Sequence, residues 1–218
     1  MIITEPTENA AGVIIWGDYW DLHSLHETIS ELCEEAPFGV DIQETVLGLA
    51  YDIRHAYQRG REEKEFGFDV YDKVTYRGCK VLWPIILFQI NVLRQFASYQ
   101  PTTKEQQANL YKLESCIEQS INDTDKNLAS ECIEWMRIPL PVSDKYYSLA
   151  LSDAAKKYVL GPVSKLRFKK LISTLRSIHP WSDEYKAFAT ALEAEASKQG
   201  CSPFQLDDFS SEGPEIIW

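Results

Sequence analysis

VLWPIILFQINVL, residues Val81 to Leu93, is the stretch that decides the fold class. Pro84 suits a first helical turn, where its missing N–H costs nothing. From Trp83 to Tyr99 the chain is apolar on nearly every side, through Ile85, Ile86, Leu87, Phe88, Ile90, Val92, Leu93 and Phe96. A helix apolar all round is stable only when neighbours enclose it. Its uninterrupted apolar run, Val81 to Phe88, contains a proline and falls far short of the roughly 20 residues that cross a bilayer. Trp83 to Tyr99 is therefore expected to be the central buried helix of a water-soluble, mainly α protein.

On its N-terminal side, Phe66 to Val81 mixes aromatic and β-branched residues with glycines, which predicts a β-hairpin or an extended lid. Before it, Asp41 to about Glu63 reads as a helix with the stripe Ile42, Val46, Leu49, Ile53 and Tyr57, opened by Asp41 and Glu44. Trp20 to Glu34 carries Leu22, Leu25, Ile29 and Leu32 at helical spacing, with Asp18 or Asp21 as N-cap, and Gly12 to Gly17 reads as a short strand. On the C-terminal side, Thr102 with Glu105 has capping-box spacing, and Asp123 or Asp125 starts a helix reaching Trp135. Further helices are expected over Ser143 to Val159, from Pro162 to Ile178, and from Ser182 to Lys198 before Gly200. The fold class is a single helical domain, residues 1–206, with a small N-terminal strand and a β-hairpin. An acidic tail follows over residues 207–218, in which Ile216, Ile217 and Trp218 can dock as an apolar peg.

The 218 residues carry a net charge of -11, with 33 acidic and 22 basic residues. The imbalance lies at the front: residues 1–53 hold 11 carboxylates and no lysine or arginine, and the first basic residue is Arg54. Conversely, Ala154 to Ser182 holds seven basic residues and no carboxylate. An acidic whole argues against general nucleic-acid binding, which draws on clustered cations. Five scattered cysteines without a C-x-x-C pair point to neither a disulfide framework nor a zinc ribbon and fit a reducing cytoplasm.

The polar segment YDIRHAYQRGRE, Tyr51 to Glu62, gathers the candidate functional groups. On a continuous helix Asp52 and His55, Tyr51 and His55, and Gln58 and Glu62 share faces. A carboxylate beside an imidazole orients it as a general base, and Arg54 and Arg61, two turns apart, can clamp an anion. Structural ion pairs are the plainer reading of the same residues. His23 and Glu27, one turn apart, with Asp52 and His55 on the next helix, have metal-ligand chemistry, but no H-E-x-x-H motif supports a site; no metal or cofactor is expected. Lys165, Lys169 and Arg176 line one face of the helix after Pro162, suited to phosphate or an acidic surface, or else simply solvated.

The segments GDYWDLHSL (Gly17 to Leu25), LGLAYDIRHAYQRGRE (Leu47 to Glu62) and VLWPIILFQINVL resemble an uncharacterised bacterial protein family of unknown function, chiefly in the first hundred residues. The resemblance implies a bacterial cytoplasmic origin and brings no activity or site residue with it. The expectation from charge is a protein-binding protein, like the acidic immunity and inhibitor proteins that cover a basic toxin surface. Its contact residues are then drawn from Asp18, Asp21, Tyr51, Asp52, Arg54, His55, Gln58 and Arg61. The alternative is a small-molecule or phosphate-processing enzyme with His55 as acid/base, Asp52 as its orienter and Arg54 or Arg61 as anion clamp.

Overall fold

A computed structural model describes residues 1–34, 36–37, 39–67, 73–206 and 214–218. The expected central helix is present as α3, Trp83–Ser98, with Pro84 in its first turn. It is enclosed as its apolarity demands: Trp83, Ile86, Leu87, Phe88, Val92, Leu93 and Phe96 are fully buried. Two polar side chains are buried with them. Gln89 donates through Nε2 to Thr45 O at 2.9 Å, and Asn91 donates through Nδ2 to Met136 O at 3.0 Å and Ile138 O at 2.6 Å. Both amide nitrogens thereby tie a neighbouring segment to the core, while Gln89 Oε1 and Trp83 Nε1 are buried without a partner among the described residues.

The N-terminal strand and the hairpin belong to one antiparallel sheet of four strands. These are β1 Ile3–Pro6, β2 Gly12–Gly17, β3 Glu62–Phe66 and β4 Val74–Leu82, in the order β1-β2-β4-β3. The hairpin tip, residues 68–72, lies outside the described residues. The register pairs Val13 with Val81 and Ile15 with Cys79, so these four buried side chains line the core face. β4 runs directly into α3, and the Trp83 N–H donates to Ala11 O at 3.1 Å.

The sheet makes three corrections to the sequence reading. β1 was not foreseen; as an edge strand it is covered where Thr4 Oγ1 donates to Cys116 O at 2.6 Å. The second helix, α2, spans Val40–Tyr57 and not Asp41 to Glu63, and its N-cap is Gly39 without a side-chain bond in place of the Asp41 box. It stops because Arg59 turns to φ 69° and the Gly60 N–H closes back on His55 O at 2.8 Å. Beyond this turn the chain is strand, because Glu62, Glu63 and Lys64 find cross-strand partners in Lys80, Arg77 and Glu5.

α1 is Tyr19–Glu34, opened by Asp18, whose Oδ1 accepts from the Asp21 N–H at 2.9 Å. α4, Lys104–Thr124, has its capping box on Thr103 and Gln106, one residue later than Thr102 and Glu105. α5, Lys126–Arg137, is capped by Asp125. α6, Tyr147–Val159, starts four residues later than expected. The helix after Pro162 is divided into a 3-10 helix, Lys165–Lys170, and α7, Leu171–Ser177. α8, Asp183–Gln199, has the foreseen Ser182 cap and ends at Gly200 in the left-handed conformation. Among helices and strands, α3 touches α1, α2, α4, α5, α6, α7, β2 and β4. The mainly α reading holds, with the β part larger than expected.

Gly12 is required where β2 passes β4, since a Cβ there would lie 1.9 Å from Val81 O, whereas a Cβ at Gly48 on α2 would meet nothing within 4 Å. Gly12→Ala is expected to lower the unfolding free energy by about 1–3 kcal/mol. Gly48→Ala is expected to raise it by about 0.5–1 kcal/mol. Urea unfolding of both variants checks the pair.

Candidate functional site

α1 and α2 pack as a hairpin whose inner seam is Leu22, Leu25, Ile29 and Leu32 on one helix and Ile42, Val46, Leu49 and Ile53 on the other, all buried. Positions three and four residues apart then carry the outward residues. On α1 these are Tyr19, His23 and His26; on α2 they are Val40, Glu44, Leu47, Tyr51 and the Arg54–His55 pair. The outward residues meet in two groups of rings, the first gathered on the buried Tyr57. Tyr19 stacks on His23 (5.7 Å between centroids) and meets Tyr57 edge-on at 5.4 Å, and His26 meets the same Tyr57 ring at 5.8 Å. Farther along α2, Tyr51 lies 4.2 Å from His55 and under the Arg54 guanidinium at 5.5 Å. Trp20 packs against Tyr19 at 5.0 Å. This surface is open, with Trp20 75%, Tyr51 51% and Tyr19 40% exposed.

His26 Nδ1 and Arg54 Nε are buried without a hydrogen-bond partner among the described residues. Burial, and then the charges of Arg54 and His23, hold the His26 imidazole below its ordinary value against the pull of Glu27. Burial likewise raises the Tyr57 phenol. His23 and Glu27 form an ion pair at 3.4 Å. Among the described residues no three His, Cys, Asp or Glu side chains converge on a common point.

The eight sequence candidates separate into three places. Tyr51, Arg54 and His55 belong to the ring surface, with the exposed Gln58 at the end of their helix. Asp18 and Asp21 serve the start of α1, where Asp21 also pairs with the Met1 amino group. Asp52 and Arg61 face another way: Arg61 Nη2 donates to Asp52 Oδ1 at 2.8 Å, beside a cavity of about 470 Å³. Because the helix ends at Tyr57, Arg54 and Arg61 do not share a face, and Asp52 is held by Arg61, not turned to His55. Gln58 and Glu62 likewise sit on different elements.

The acidic front is partly neutralised from later in the chain, by Lys64 on Glu5 at 2.7 Å and Arg61 on Asp52. Glu34, Asp41 and Glu44, around the α1–α2 turn, are exposed and enter no ion pair among the described residues. Within the C-terminal basic segment, Arg176 pairs with Glu131 and Lys157 with Asp153, neither of them in the front. Lys165, Lys169 and Arg176 are exposed, whereas Arg167 of the same segment is buried.

A cavity of about 430 Å³ between α3, α4 and α5 went unforeseen. Its lining includes Asn91, Gln95, Tyr111 and the Arg94–Glu114 ion pair, 2.6 Å long. Burial raises the Glu114 carboxyl despite Arg94. The signal lay in Asn91, Arg94 and Gln95 interrupting an apolar helix. Four of the five cysteines are buried, Cys201 being the partly exposed one, and burial pushes the thiols of Cys33, Cys79 and Cys132 up to about 12.

Residues 2–218 match a family model described as a domain of unknown function, DUF6904. The chain belongs to this family. The family thus covers the C-terminal half as fully as the first hundred residues. No match was found among curated proteins or among solved structures. No helix among the described residues of this family member is long and apolar enough to cross a membrane.

His26 gives this surface a pH signature. Because its folded-state value is lowered, the unfolded chain takes up a proton first as pH falls below about 6.5. Stability from this group is complete above that value and declines as pH falls toward the folded value. The unfolding free energy of His26→Gln, measured in urea at pH 8 and pH 5, is expected to fall less between the two than that of the parent chain.

Proposed function

We propose that the chain is an acidic protein-binding protein that uses the outward α1–α2 face to cover a basic surface of its partner, as an inhibitor or immunity protein does. One observation carries this reading: exposed Trp20 and Tyr19, packed with Tyr57, and exposed Tyr51, under the Arg54 guanidinium, lie on the hairpin that also holds Glu34, Asp41 and Glu44, unpaired among the described residues. Trp, Tyr and Arg are the residues in which binding energy concentrates. Free carboxylates beside them speed encounter with a cationic partner and reject an anionic one. Residues 1–206 act as one domain in this reading, supported by an apolar cluster running from Ile2 to Leu206. The five free thiols fit action in a reducing cytoplasm.

An acid/base role for His55 has less support, since Asp52 is engaged by Arg61 and the nearby cavity is lined by Asp52 and Arg61 without His55.

Affinity capture from host lysate tests the binding reading. A partner with a basic isoelectric point is expected, released by raised salt. Trp20→Ala with Tyr51→Ala is expected to abolish its recovery, and Glu34→Lys with Asp41→Lys and Glu44→Lys to reduce it at least tenfold. A partner retained equally by both variants would sink the assignment.

A further inference from the structure

Away from the α1–α2 face, the described residues at the C-terminal end, 214–218, lie across a groove between α6, the start of α3 and β4. Ile216 lines cavities on both sides of itself. One, about 300 Å³, is walled by Leu82, Ile85, Leu151, Ala155 and Val159. The other, about 470 Å³, shares Leu82 and Ile85 and adds the Asp52–Arg61 pair, Lys80 and Trp218. The segment is therefore a narrow occupant of a wider channel, mostly apolar on the α6 side and charged on the other, where Asp52, Arg61, Glu62 and Lys80 line it.

Its backbone is held by two side chains from elsewhere. Asn9 Nδ2 donates to Trp218 O at 2.8 Å, and Arg167 Nη1 donates to Ile217 O at 3.1 Å. Arg167 is the unusual group. It is only 1% exposed, forms no ion pair among the described residues, and spends its remaining bond on Val159 O at 3.2 Å. Its Nε has no partner among the described residues. A guanidinium so buried carries a large desolvation cost, and beyond Val159 O its acceptor is supplied by the segment lying over it. Residues 214–218 form no strand or helix with the groove, and Ile217 is half-exposed.

We propose that this groove is a binding site for an extended apolar peptide, anchored by the Arg167 guanidinium on a peptide carbonyl, and that residues 214–218 fill it in cis. Apolar side chains at alternate positions enter the cavities, while the intervening one faces solvent, the pattern that Ile216, Ile217 and Trp218 show. Release of the segment opens the site to a second peptide of the same character.

The test uses the full chain carrying Ile216→Asp and Trp218→Ala, which unseats the segment, and a fluorescein-labelled peptide of sequence PEIIW. Fluorescence anisotropy is expected to show binding by the variant at least tenfold tighter than by the parent chain, whose site is filled. A peptide with aspartate in place of its first isoleucine is expected to bind neither. Equal weak binding by variant and parent, or equal binding of both peptides, overturns the proposal. So does loss of the native circular dichroism spectrum in the variant, which would make residues 214–218 a part of the core and not a ligand of it.

Discussion

The enclosure of α3 is the constraint on which the rest depends. A 16-residue helix with apolar side chains on nearly every face is favourable only when those faces are removed from water, at roughly 25 cal/mol for each Å² of apolar surface buried. No single partner can do this. The sheet covers it through β2 and β4, α1 and α2 cover a second flank, and α4 to α7 complete the enclosure. Gln89 and Asn91 would be costly inside such a shell, and their amide nitrogens donate to backbone carbonyls of α2 and of the end of α5. The same enclosure gives Gly12 its strict requirement, since Ala11 must reach the start of α3 while β2 still pairs with β4.

From that constraint comes the character of the surface. α1 and α2 each spend one stripe on the core, and with the seam filled by Leu and Ile the residues left outside are rings, imidazoles and carboxylates. The one-sided charge of the first 53 residues is thus redistributed. Carboxylates near the sheet, such as Glu5 and Asp52, receive cations from β3 and the turn before it. Those at the α1–α2 turn receive none among the described residues. A charge asymmetry along the chain becomes a smaller patch at the turn of the hairpin that also carries the exposed rings.

Wherever a single periodicity governed a segment, the sequence was legible. α3, α1 and α8 are where their apolar spacing and caps put them, because helical hydrogen bonds are local. The misread places are those where distant residues decide. Glu62 to Phe66 has the composition of a helix end, and becomes strand because Lys80, Arg77 and Glu5 stand across from it. Ile3 to Pro6 is too short to announce itself and is a strand because β2 and α4 flank it. The shortened α2 then separated Arg61 from Arg54 and Asp52 from His55, which is why the supposed acid/base pair is not assembled. Only the Tyr51, Arg54 and His55 part of the candidate site came from spacing within one helix, and that part is together in space.

The sequence by itself determined a mainly helical protein built round Trp83 to Ser98, the positions of its strongest helices, and an excess of carboxylates in its first quarter. These are properties of composition and of contacts within a few residues. The tertiary structure decided which carboxylates are left unpaired among the described residues, that rings from α1 and α2 meet on one surface, and that Arg167 lies buried beneath Ile217 in place of facing water. Each of these turns on the approach of groups as much as 59 residues apart, whose pairing is set by how the chain closes around its apolar helix and leaves no periodic trace along it.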